Sequence, residues 1–234
     1  MNSSELRRSM TAGIAFVILF VAGVVVFLGN TPSIKSKDTD AIASAKFVKQ
    51  LSSSGHRAGL IISAYLLILA GIAFIWFTSG LRNRSASPVG GRMVSALGVL
   101  GAGALAAAAM AVAVVAGAVS LGSEPVPQNG DAMRVVMDLA FPFLFVVFGL
   151  VSAAMIGTIA VTGRASGLPS WLLNLAWVAV LGAVLGVIFI PIILPLLWFV
   201  LVAILGLRGP STDLAGSTGF AEKPGESDSY PRYG

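Results

Sequence analysis

The chain has 234 residues, of which 56% are hydrophobic and 11% charged, and its mean hydropathy is +0.92. A soluble domain carries about 25% charged residues, so this composition leaves too little polar surface for water and points to a lipid solvent. With no cysteine and a single histidine, His56, disulfides, thiolate metal sites, cysteine nucleophiles and multi-histidine zinc sites are excluded. The net charge of +5 is spread over several loops. It reads as topology information and not as a nucleic-acid footprint.

The first apolar run covers residues 12–29 and follows Arg7 and Arg8. A secretory signal peptide and a first span both fit that arrangement. The run is long and ends in Val-Phe-Leu-Gly-Asn with no small-x-small cleavage site, which favours an uncleaved span. The Arg7-Arg8 pair hints at twin-arginine export, but the residues after it form no convincing motif.

Residues 30–57 are polar. Within them Ala41, Ile42, Ala45, Val48 and Leu51 recur at helical spacing, with Lys46, Lys49 and Gln50 between. The pattern predicts a short amphipathic helix in this first exported loop, capped by Asp38 or Asp40. It either lies on the membrane face or packs over the end of the bundle.

The second span is expected over residues 58–80, ended by Leu81 and Arg82. A short basic turn carries Arg82, Arg84 and Arg92 and leads to a third span over 94–120, rich in glycine and alanine. A loop with Glu124, Pro125, Pro127 and Gly130 breaks the pattern. The fourth span covers 135–161 and contains Pro142, where a kink packed against neighbouring helices is expected. After the Arg164 turn, residues 171–207 carry no charge. As one helix these 37 residues would be about 55 Å long, against a hydrocarbon core of about 30 Å. Pro191 and Pro195 interrupt the run near its middle, so it divides into a hairpin over 171–189 and 192–207. The alternative is one long, kinked helix and five spans.

The expected fold is thus all-α: a polytopic bundle over residues 1–208, with six spans or alternatively five. Residues 209–234 are rich in Gly, Ser, Pro and charge, and are expected to be a disordered cytoplasmic tail. Three arginines in the 82–92 loop, against Arg134 alone at the edge of 121–134, place the N-terminus inside. With six spans the C-terminus is inside too, and Trp76 and Trp171 fall near the cytoplasmic interface.

Asp138 is the one acid within a predicted span, and an intramembrane carboxylate is a functional candidate by default. Arg134 precedes it at i,i+4 spacing, so an interfacial ion pair is one reading. Proton or cation handling is a second, and pairing with His56 or Arg57 at the mouth of the second span is a third. His56 and Arg57 themselves fit an anchor at the head groups or a pH sensor. Ser63, Tyr65 and Asn174 can hydrogen-bond between helices, and the small-xxx-small pairs Gly59/Ser63 and Gly149/Ala153 favour close helix approach. The chain contains no P-loop, dinucleotide fingerprint, HExxH or nucleophile elbow. No predicted span carries a lysine or an arginine ladder, which argues against a retinal site and a voltage sensor.

The stretch Ser54-Gly-His-Arg-Ala-Gly-Leu-Ile-Ile-Ser-Ala-Tyr-Leu-Leu, followed by Ala-Phe-Ile-Trp-Phe and Leu81-Arg82, resembles a group of uncharacterised multi-pass bacterial integral membrane proteins. The Ala/Gly/Val-rich composition resembles actinobacterial proteins. The resemblance covers residues 1–92 and beyond them only the span pattern. It implies a multi-pass, six-span fold and brings no activity, cofactor or site residue; the expected location is the plasma membrane.

The functional expectation is a non-enzymatic membrane component that assists a partner or serves a structural role, without cofactor or metal. Its partners are the lipid bilayer and a membrane protein or a second copy, not nucleic acid. The alternative is a small-solute or ion transporter or channel using Asp138, with Arg134, His56 and Arg57 as the neighbouring polar cluster. An intramembrane lipid enzyme would need paired acid, base or metal groups near an interface, and the sequence offers no such set.

Overall fold

A computed structural model describes residues 3–35, 38–82, 85, 87–121, 130–162, 168–185 and 193–208. The expectations resting on the 122–129 loop, on Arg84 and Arg164, on Pro191 and on the tail 209–234 lie outside these residues.

All regular structure among the described residues is helical: α1 (Ser3–Asn30), α2 (Asp40–Ser52), α3 (Ser54–Arg82), α4 (Pro88–Leu121), α5 (Gly130–Asp138), α6 (Phe148–Thr162), α7 (Ser170–Val184) and α8 (Ile193–Arg208), with a π-helical segment Pro142–Val147 joining α5 to α6. Four of these are long and apolar enough to cross a membrane: α1, α3, α4 and the 33-residue rod Gly130–Thr162. The apolar helices α7 and α8 are shorter, at 15 and 16 residues.

Local chemistry sets the boundaries. Ser87 stands before α4 and its Oγ accepts from the Gly90 N–H at 2.9 Å. Pro88 then occupies the first helical position, where its missing N–H costs nothing. Pro195 falls in the first turn of α8 for the same reason. Pro142 stands mid-rod, with no N–H for the carbonyl of Asp138 four residues back and a ring that crowds it. The rod answers with a turn at Leu139 and the π segment, in which the Phe148 N–H donates to Phe143. The predicted kink is therefore a change of helical register.

The long elements form a closed ring. Helix α1 packs on α3, α3 on α4, α4 on α6, α6 on α7, α7 on α8, and α8 returns to α1. Phenylalanines fill the centre. Phe16 of α1 lies 4.8 Å from Phe74 of α3, 5.9 Å from Phe148 of α6 and 5.9 Å from Phe199 of α8, ring centre to ring centre. All four are at most 1% exposed. Aromatic pairs of this kind contribute about 0.5–1.5 kcal/mol each beyond area burial. Close approach to the cluster is possible because α4 offers Gly101, where a β-carbon would stand 2.7 Å from the Phe74 ring.

Small residues serve contacts within the chain. Ser63 donates to the carbonyl of Gly23 at 2.8 Å and joins α3 to α1. Gly149 faces the Ala183 carbonyl and brings α6 onto α7.

Helix α2 lies across one end of the ring, packed on α5 and α3. It takes the bundle-capping role, and its buried residues are Ala43, Phe47 and Leu51. Of the predicted stripe Ala41, Ile42, Ala45, Val48 and Leu51, Leu51 is buried and Val48 half-buried, and the first three are exposed. Both stripes have helical spacing, and the one with the phenylalanine buries more apolar area. Gly130 makes the docking possible, because a β-carbon there would fall inside the Ser44 carbonyl. The N-cap is Thr39, whose hydroxyl accepts from Ile42, and not Asp38 or Asp40.

Candidate functional site

The polar residues singled out in the sequence gather at the α2 end of the ring, in two separate groups. Arg134 of α5 stands between two carboxylates, 3.5 Å from Asp138 in its own helix and 3.3 Å from Asp40 at the start of α2. The Asp138 side chain is 53% exposed, so the pair lies on the outside of the bundle. It is not directed at the aromatic centre.

Arg57 belongs to the second group. Its Nη1 donates to the carbonyls of Leu51 at 2.6 Å and Ser52 at 3.1 Å, and its Nε donates to Ser120 Oγ at 3.1 Å. These carbonyls are the unsatisfied acceptors at the C-terminal end of α2, where the helix dipole favours a cation. The two arginines thus hold opposite ends of one helix, and among the described residues no ion pair links Asp138 to His56 or Arg57. His56 lies at the start of α3 with its Nδ1 buried and without a hydrogen-bond partner.

The loop before α2 is tied down by a third contact. Asp38 accepts from Lys46 Nζ at 2.5 Å and from the Lys35 backbone N–H at 2.7 Å. The Lys46 ammonium first, and the Lys35 N–H second, hold this carboxyl below the usual carboxylate range. Gln50 completes the attachment by donating to the Asn30 carbonyl at the end of α1.

The other polar candidates do not converge. Ser63 is buried and donates to Gly23, whereas Tyr65 is 65% exposed on the outer face of α3. Asn174 is on the outer face of α7, beside a cleft of about 230 Å³ shared with Ser170 and Trp177. No charged side chain is buried among the described residues, and the buried polar ones are Ser9, Ser63, Thr78 and Ser152.

Asp40 entered the sequence reading only as a possible helix cap, and Ser120 only as the end of the third span. They lie 94 residues from Arg134 and 63 from Arg57 respectively. Charge complementarity was the only signal available for the first pair, and none existed for the second. Comparison with known proteins finds no matching family model, curated protein or solved structure.

Proposed function

We propose that this is a six-span, non-enzymatic plasma-membrane protein of bacterial type that assists a partner protein, with both termini in the cytoplasm and the α2 cap on the outer side. The observation that carries this reading is the centre of the ring, where phenylalanines from α1, α3, α6 and α8 close on one another and no charged group among the described residues is buried. A conduit for ions or solutes needs polar groups along a wet path. Here Asp38, Asp40, Lys46, Arg57 and Arg134 at the α2 end are engaged in fastening α2 or the loop before it.

Six spans are supported by α7 and α8 packing side by side. At about 22 and 24 Å the two helices are shorter than the hydrocarbon core of about 30 Å, but they flank seven further apolar or glycine residues, 186–192. The transport alternative would require Asp138 to work inside the bundle, and its carboxylate pairs with Arg134 outside.

The test is native mass spectrometry of the protein extracted with its surrounding lipid. A stoichiometric second polypeptide is the expected result. A protein that emerges alone with a bound solute, together with loss of solute or proton flux in Asp138→Asn, would overturn the reading in favour of transport.

A further inference from the structure

Between the end of α1, the flank of α2 and the start of α3 lies a cleft of about 330 Å³, lined by Ser33, Lys46, Lys49, Gln50, Ser53 and His56. None of the described residues lining it is acidic. Lys46 is partly neutralised, since its ammonium donates to Asp38 and to the Ser33 carbonyl. Lys49 is exposed and has no salt bridge among the described residues. Arg57, next in sequence to His56, is occupied by the carbonyls ending α2.

The cleft meets two helix ends: the negative end of α2, whose carbonyls Arg57 occupies, and the positive end of α3. Ser53 and His56 stand at the start of α3, a helix of 29 residues. The first N–H groups of a helix have no partner within it and carry the positive end of its dipole. Such a terminus is a ready anion site when cationic side chains converge on it. The buried Nδ1 of His56 also lacks a partner, as buried polar atoms rarely do without a reason.

We propose that this cleft binds a phosphate-class anion, with Lys49 as the principal cation, Lys46 as the second, and His56 and the start of α3 as hydrogen-bonding groups. The cleft lies where α1 ends and α3 begins, and these are two of the helices long enough to cross the bilayer. That level is where lipid phosphates lie, and a free phosphate offers the same chemistry. The proposal holds whichever leaflet the cleft faces, and it is independent of the partner-assisting reading.

The test uses the full-length protein in nanodiscs of phosphatidylcholine alone, of phosphatidylcholine with phosphatidylglycerol, and of phosphatidylcholine with inorganic phosphate in the buffer. Thermal unfolding and lipid retention in native mass spectrometry are read for wild type, Lys49→Gln, His56→Gln and the charge control Lys35→Gln. The expected result is stabilisation of the wild type by one of the two anions, at least tenfold weaker binding in Lys49→Gln, several-fold weaker binding in His56→Gln and no change in Lys35→Gln. A response to phosphatidylglycerol alone identifies a lipid head group, and a response to inorganic phosphate in the neutral bilayer identifies a soluble anion. Should neither anion bind, or should Lys35→Gln weaken binding as much as Lys49→Gln, the cleft is not an anion site. If Lys49→Gln does not fold, His56→Gln decides, and unchanged binding in that variant overturns the proposal.

Discussion

The indole N–H of Trp198 donates to the carbonyl oxygen of Leu172 at 3.2 Å, although the two residues are 26 positions apart. One continuous helix would hold them about 39 Å apart. The bond ties the start of α7 to α8 within the buried interior, where a polar group without a partner is costly.

Trp198→Phe keeps an aromatic ring and removes the donor. It is expected to destabilise the protein by about 0.5–1.5 kcal/mol, the net contribution of one hydrogen bond, because the Leu172 carbonyl lies within α7 and keeps its intrahelical partner. Trp198→Ala adds a cavity and is expected to cost about 3–5 kcal/mol. Thermal unfolding in one detergent measures both, and an unperturbed Trp198→Phe would remove the bond from the stability argument.

Topology offers a second check. A reporter fused after Arg208 is expected to be cytoplasmic. Because the chain has no cysteine, Leu185→Cys supplies a unique thiol at the end of α7. A membrane-impermeant maleimide should label it from outside the cell. An exported reporter would mean five spans. A cytoplasmic reporter with no labelling of the Leu185→Cys variant would mean that the α7–α8 pair does not reach the outer face.

The two arginine clamps on α2 are expected to be unequal. Arg57 makes a part-buried bond to Leu51, and a cation at a partly buried helix end contributes up to about 2 kcal/mol. Arg134 bridges exposed carboxylates, and such pairs contribute about 0–1 kcal/mol. Arg57→Gln should therefore speed amide hydrogen exchange across residues 40–52 by more than Arg134→Gln. Equal effects would mean that the helix-end carbonyls gain nothing from Arg57.

The Asp38 contact predicts a direction with pH. Its carboxyl is held below the ordinary range, mainly by Lys46. Folding is then favoured by this group above the ordinary value of about 3.9, and the contribution fades as pH falls through the lowered one. A spin label at Ser33→Cys should be restrained at neutral pH and gain mobility only below about pH 4. Asp38→Asn should show the mobile spectrum at neutral pH.

The apolar runs and their breaks were legible because lipid imposes long uninterrupted segments and proline imposes stops. Residues 58–80 lie within α3, and α7 and α8 are separate helices packed on each other, while the turn expected between them lies outside the described residues. The face of α2 was not legible. The predicted Ala41/Ile42/Ala45/Val48/Leu51 and the observed Ala43/Phe47/Leu51 are both helical stripes that share Leu51, and the area buried by Phe47 together with the approach of Gly130 to Ser44 decides between them. Arg134 with Asp138 is local, so spacing revealed it. Asp40 entered the same network through a contact formed by tertiary packing. Pro142 announced an interruption, but proline alone does not state whether a helix bends, ends or changes register.

That change of register sets the phase of everything after it. A residue advances an α-helix by about 100°, and a π segment absorbs a residue that α geometry would have counted as rotation. Removing one residue between Pro142 and Val147 would let the rod return to α geometry with α6 close to its present phase, whereas straightening the segment at its present length would turn α6 by about 100°. Phe148 would then leave the centre, and Gly149 would no longer face Ala183. The six-residue segment is therefore what keeps the two halves of the rod in step at this chain length.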